Sequence, residues 1–370
     1  LKLLPALALA TTLLCGCGSP PSPGYLRENE LAQGARIRGQ HRAAAQHYER
    51  AAAAATKPRD AEEARYRAAD SYARAGDAAR AEGLYRELAA LGPSAARRAR
   101  AEFALADLWE ATGRVDEAQA QRAAAIRRYP GSGVASSALS QHLSSLRERG
   151  GSEQVLAYLA AESAVLGGSE LGETLAYRRA RELEAQGRVA EARDAYLACA
   201  ARYPYPAGAY WDDALFRAAE AELALGAPER ALQHLARLLE RQEGASITGS
   251  YERGRYAEAQ LKVAEIYRDS LHDTTRARLE LRRVWERHPK SRLVDDALFQ
   301  EALLAHRAGD RAGACAPLEI IVSQLPDSRY VPCAHHLCEG LPKTPNRDCR
   351  AYIERAAGLK QLGTREAGGD

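Results

Sequence analysis

Small, bulky and polar positions recur along this chain with a long period. Gly39, Gly76, Gly113, Gly150 and Gly187 stand 37 residues apart, and Gly226 and Gly309 continue the series with drift in the spacing. Seven residues before the glycine position runs an alanine column: Ala32, Ala69, Ala106, Ala180, Ala219, Ala264 and Ala302, with Leu143 the departure. Four before it stand bulky residues, Tyr72, Trp109, Leu146 and Leu183. Five after it a second small column holds Ala44, Ala81, Ala118, Ala192, Ala231 and Ala314, with Val155 the exception. Nine after it come Tyr48, Tyr85, Leu159, Tyr196, Leu235 and Leu318, and seventeen after it Pro93, Pro130, Pro204 and Pro326. The pattern predicts a helix that ends at glycine, where a left-handed turn is needed, and a second helix that proline stops. Alanine lets the two helices approach closely, and the bulky residues fill the space between them.

This arrangement resembles the tetratricopeptide repeat, and a fixed period of that length is the mark of a stacked array. About nine units follow: 25–58, 60–93, 97–130, 134–167, 171–204, 210–243, 253–289, 293–326 and a degenerate pair from 329. Unit seven has Leu271 at the glycine position, with an insertion in "SLHDTTRA", and unit four is the weakest match. Ser132, Ser291 and Ser328, each two residues after a proline, are expected to cap the next helix. The resemblance implies an all-α, right-handed α-solenoid over residues 25–345. The stretch from His288 to Tyr330 is similar to the repeat variant of periplasmic envelope proteins of the BamD and YbgF type. The chain has more repeats than the first type, and residues 25–60 lack the sustained heptads of the second.

Composition agrees with helix: aromatics are only 6% and methionine is absent. The 52 basic and 49 acidic residues are interleaved, with no single-sign run to track phosphates, so nucleic acid is not an expected partner. No apolar stretch reaches the roughly 18 residues that read as a membrane span.

The N-terminus combines Lys2 with the apolar run "LLPALALATTLL" and then Leu14-Cys15-Gly16-Cys17. Two cysteines one apart allow a metal or redox pair, a disulfide or an attachment point. A short positive region followed by about a dozen apolar residues fits a secretory signal. An aliphatic residue three before Cys17 and a glycine just before it resemble a bacterial lipoprotein signal. That resemblance implies a signal peptide over residues 1–16, a diacylglycerol on Cys17 that labels with palmitate, and a proline-rich tether over 17–24. Gly18, where aspartate would retain the lipoprotein in the inner membrane, implies the periplasmic face of the outer membrane. A plain secretory signal cleaved elsewhere is the alternative.

Tyr66, Phe103, Tyr177, Phe216 and Phe299 share one register on the first helix of their units. By resemblance this register faces a ligand groove, with Asp70, Arg74, Asp107, Arg181 and Glu220 as polar neighbours of mixed sign. The other reading is that the rings pack between helices. Asp212, Asp213, Asp295 and Asp296 begin helices and are expected as caps.

Of the remaining cysteines, Cys338 with Cys349 and Cys315 with Cys333 are the expected disulfides, leaving Cys199 free and buried. "CAHHLC", with His335 and His336, has no standard zinc spacing, and no metal or other cofactor is expected. No Walker loop, dinucleotide fingerprint, G-x-S-x-G or H-E-x-x-H is present, so catalysis is not expected. The expectation is a lipid-anchored scaffold for other envelope proteins, serving outer-membrane protein assembly or envelope coordination. The alternative is a non-catalytic helper of a periplasmic enzyme or peptidoglycan-remodelling complex. A capping helix over 346–361 and a disordered tail over 362–370 complete the expected organisation.

Overall fold

The computed structural model describes residues 20–92, 94–241, 255–345 and 347–359. The expected signal, tether start and Cys17, the stop at Pro93 and the tail over 362–370 lie outside the described residues. Among those residues the fold is all helix, with no strand. The chain divides into two compact units, residues 1–149 and 150–370.

The first unit pairs α1 (Pro23–Ile37) with α2 (His41–Ala54), α3 (Pro58–Arg74) with α4 (Ala78–Leu91), and α5 (Ala95–Ala111) with α6 (Val115–Arg128). It also holds the first half of α7 (Ala135–Leu166), and the second unit holds the rest. There α8 (Gly172–Ala185) pairs with α9 (Val189–Arg202), and α10 (Trp211–Ala224) with α11 (Pro228–Leu239). Next, α12 (Arg255–Glu265), prolonged by a π turn over Ile266–Ser270, pairs with α13 (Thr274–Arg287). The last complete pair is α14 (Val294–Arg307) and α15 (Arg311–Gln324). A 3₁₀ turn over Val331–Cys333, α16 (Ala334–Leu337) and α17 (Ala351–Ala357) form the degenerate terminus.

Both alanine columns lie at the helix contacts. Ala32, Ala69, Ala106, Ala180, Ala219 and Ala302 are fully buried, as are Ala44, Ala81, Ala118, Ala231 and Ala314. Tyr48, Tyr72, Tyr85 and Tyr196 fill the wider gaps beside them. A side chain longer than methyl at an alanine would push two helices apart, and overpacking of this kind costs about 1–3 kcal/mol. The helices before Pro130, Pro204, Pro289 and Pro326 each end two residues earlier, at Arg128, Arg202, Arg287 and Gln324.

Gly39, Gly76, Gly113, Gly187, Gly226 and Gly309 all take left-handed φ values between 71° and 81°. Gly150 does not. Its neighbour Gly151 takes the left-handed conformation, at φ 71°, inside α7. The first helix therefore runs one residue further than the spacing predicts, and the linker residue found in the other pairs is used up. In the seventh pair His272 adopts φ 54° in the glycine's place. The π turn takes up the inserted residue there, since an i to i+5 turn accommodates one more residue than an α turn. Asp273 then caps α13 through the Arg276 amide at 2.9 Å. The expected serine caps act one step outside the helix: Ser132, Ser291 and Ser328 accept from the amides of Val134, Leu293 and Tyr330.

The four expected cysteines are all oxidised, but the partners are exchanged: Cys315 bonds Cys338 and Cys333 bonds Cys349. Burial of α16 against α15 brings the Cα of Cys338 to 5.1 Å from that of Cys315. The segment before α17 returns to the 3₁₀ turn, where the Cα of Cys349 lies 4.6 Å from that of Cys333. The bridges fasten the terminus to the last complete pair instead of closing its loop on itself. Cys199 is free, and burial pushes its thiol pKa up to about 12. With Cys333 and Cys338 in disulfides, the "CAHHLC" segment has no thiolate to offer a metal.

The left-handed conformation of a residue with a Cβ costs roughly 1–2 kcal/mol. His272→Gly is expected to raise the thermal midpoint in a calorimetric or circular dichroism melt. A lowered midpoint would show that the imidazole supplies more than the strain removes.

Candidate partner-binding clefts

The five rings of the aromatic register lie on α3, α5, α8, α10 and α14, the first helices of their pairs. Phe103, Tyr177, Phe216 and Phe299 are buried, with 5–8% of their surface exposed, and Tyr66 is half-buried. Four of the five meet a side chain from the following helix pair. The Arg100 guanidinium lies 3.6 Å from the Tyr66 ring centre, and Arg255 lies 4.8 Å from that of Phe216. Tyr210 stacks on Tyr177 at 4.3 Å, and Tyr330 on Phe299 at 4.2 Å. Phe103, Tyr177 and Phe216 are therefore packing between helices, which answers the groove reading for those three; Tyr66 and Phe299 also reach the surface of a cleft.

Acidic residues in the first turns of the same helices complete the contact. Glu62 holds Arg97 at 2.7 Å, and Glu63 holds Arg100 at 3.1 Å. Glu173 accepts from the amides of Ala209 and Tyr210 at 2.9 and 2.7 Å. Asp213 accepts from the Tyr177 hydroxyl and pairs with Arg217 and Arg255. Asp295 accepts from Ser328 at 2.7 Å, and Asp296 from the Tyr330 hydroxyl at 2.6 Å. The expectation that Asp213, Asp295 and Asp296 serve as helix caps needs correcting, because their main bonds reach the next pair and neither α10 nor α14 has a side-chain cap. Burial opposes the charge on Asp213, but Tyr177, Arg217 and Arg255 outweigh it and hold the carboxyl below its ordinary value of 3.8.

The polar candidates are mostly engaged close to home. Asp70 pairs with Arg74 at 3.0 Å, Asp107 with the fully buried Arg122 at 2.9 Å, and Arg181 with Glu184 at 3.1 Å. Glu220 is half-buried, and burial raises its carboxyl pKa.

Two clefts open beside this contact layer. In the first unit a polar cleft of about 550 Å³ is bounded by Tyr66, Asp70 and Arg74. Arg36, Arg67 and Arg100 also line it. In the second, an apolar cleft of about 290 Å³ lies between Phe299, Leu303, Tyr330 and Ile353, with Arg268 and Arg307 at its edge. Single-residue reading passed over Arg36, Arg67 and Arg100 because arginines are spread over the whole chain. A signal was present nonetheless: Glu63 and Arg100 occupy the same repeat position, 37 residues apart, with opposite charge.

Residues 213–242, 258–291 and 296–328 match the model of the tetratricopeptide repeat family. The chain carries tetratricopeptide repeats. These matched segments coincide with the pairs α10/α11, α12/α13 and α14/α15. The fold is similar to a tetratricopeptide repeat protein from Parabacteroides merdae, at 12% identity, over 75% of this chain and 98% of that one, with a TM-score of 0.32. It is also similar to the C-terminal part of a repeat-containing protein from Cytophaga hutchinsonii, at 12% identity, over 82% and 98%, with a TM-score of 0.35. No curated protein matches the sequence. Tetratricopeptide folds are in general scaffolds that bind protein or peptide partners.

Because the folded pKa of Asp213 is depressed, its contribution to stability is present above the unfolded value and is lost as pH falls through the folded one. Asp213→Asn is expected to lower stability at neutral pH by roughly 1–3 kcal/mol, the worth of bonds to a charged group. In denaturant titrations the difference should shrink in acid below pH 3.8, the ordinary aspartate value. A difference independent of pH would mean that the carboxylate charge is not what matters.

Proposed function

We propose that this chain is a scaffold of the bacterial cell envelope, anchored by lipid at Cys17 to the periplasmic face of the outer membrane, that binds other envelope proteins through its helix pairs. The observation that carries the compartment is the pair of disulfides, Cys315–Cys338 and Cys333–Cys349. Disulfides persist in oxidising compartments such as the periplasm and are rare in the cytosol. The lipoprotein-like sequence before Cys17 supports the same reading independently.

The repeats support the scaffold part of the proposal, since a serial stack offers extended surface along successive helices. Its two clefts lie in different compact units, so one chain has separate places for partner segments. Outer-membrane protein assembly and envelope coordination are the processes that the resemblance to BamD-type and YbgF-type repeats suggests.

Expression in a Gram-negative host fed radiolabelled palmitate tests the anchor. The natural chain is expected to label and to sediment with outer membrane, and Cys17→Ala to lose the label and enter the periplasmic fraction. Continued labelling of Cys17→Ala would overturn the assignment of the anchor.

A further inference from the structure

The polar cleft of the first unit has a charge imbalance that its own side chains do not resolve. Four guanidinium groups line it, from Arg36, Arg67, Arg74 and Arg100, against two carboxylates, Glu63 and Asp70. Glu63 is shared: one oxygen accepts from Arg67 at 2.9 Å and the other from Arg100 at 3.1 Å. Asp70 is taken up by Arg74 at 3.0 Å. Asp107, which also acts on Tyr66, is held by Arg122, so it does not restore the balance. Two positive charges are left over in a concave site large enough for several side chains.

The placement of these groups suits an anion. Arg67 and Arg74 project from α3, Arg36 from the last turn of α1 and Arg100 from α5, so the charges surround the cleft from three helices. Arg100 is held against the face of Tyr66, a cation–π contact that orders its fork of donors before any ligand arrives. Burial raises the Tyr66 hydroxyl, more than Arg100 lowers it, so the group stays protonated and adds a neutral donor. Planar guanidinium groups recognise carboxylates through paired hydrogen bonds, and a polypeptide presents carboxylates at spacings that can engage several of them.

We infer that this cleft is a docking site for an acidic segment of a partner protein, a stretch rich in glutamate or aspartate that displaces Glu63 and Asp70 from their arginines. The inference rests on the scaffold reading for the partner being a protein, and it names that partner's chemistry. Glu63 and Asp70 then act as internal competitors. They keep the arginines paired in the free protein and set the threshold of acidity that a ligand must exceed.

The test is fluorescence anisotropy on the full purified chain with a fluorescein-labelled peptide of alternating glutamate and serine. A lysine–serine peptide and vesicles of anionic phospholipid serve as comparisons. The glutamate peptide is expected to bind, and to bind more weakly as salt is raised. Arg74→Glu, an exposed substitution whose folding is checked by circular dichroism, is expected to weaken binding about tenfold or more, equivalent to about 1.4 kcal/mol. Glu63→Gln is expected to tighten it several-fold, because two guanidinium groups are released; a merely structural role for Glu63 predicts the opposite sign. Absence of binding, indifference to Arg74→Glu, or weakening by Glu63→Gln would overturn the inference. Equal binding of the lysine peptide, or binding of vesicles in preference to the peptide, would do so as well. The purified chain needs no anchor for this measurement, so its failure and failure of the palmitate experiment are separable.

Discussion

Each helix pair of this protein is held to the next by a clasp between a ring and carboxylate on one first helix and an arginine or tyrosine that begins the following pair. Tyr177 with Asp213 and Tyr210, Phe216 with Arg255, and Phe299 with Asp296 and Tyr330 are versions of it. The alanine seams bring helices close within a pair, but a pair alone cannot bury both of its faces. Closure comes from the neighbour. The clasp joins an apolar contact to a charge-assisted bond, so displacement of one pair exposes a ring and strands a carboxylate at the same time.

The clasp also accounts for where binding surface remains. At Phe103, Tyr177 and Phe216 the ring is sealed by its neighbours. At Tyr66 the covering group is a guanidinium standing on the ring, and the ring's edge and the surrounding arginines stay open. At Phe299 the neighbour is the shortened terminus, where α16 and α17 replace a full pair and leave an apolar cleft. The two disulfides supply at that end what a following repeat supplies elsewhere, a fixed partner for the exposed face of α15.

Much of the fold was legible in the sequence because its causes are local and periodic. Glycine, alanine, tyrosine and proline each act within one helix pair, so their spacing predicts turns, seams and ends with few errors. The errors fell where a neighbouring residue does the same work: Gly151 takes the turn expected of Gly150, and His272 does so without being glycine. Pairing of Cys315, Cys333, Cys338 and Cys349 was not legible, because it depends on how α16 folds back on α15. The roles of Asp213 and Asp296 were hidden for a similar reason, since a carboxylate at a helix start serves equally as a cap or as a hand reaching to the next pair. The clefts required the third dimension, although the charge reversal between Glu63 and Arg100 at one repeat position had pointed toward the first.

The most direct measurement of the clasp is hydrogen exchange by mass spectrometry on Tyr330→Leu, which removes the ring stacked on Phe299 and the hydroxyl bonded to Asp296. Nearest-neighbour coupling predicts faster exchange on both sides of the contact, in Val294–Arg307 and in Ala351–Ala357, with Gly172–Ala185 unchanged. Faster exchange confined to the residues around position 330, or a uniform change throughout residues 150–370, would contradict it.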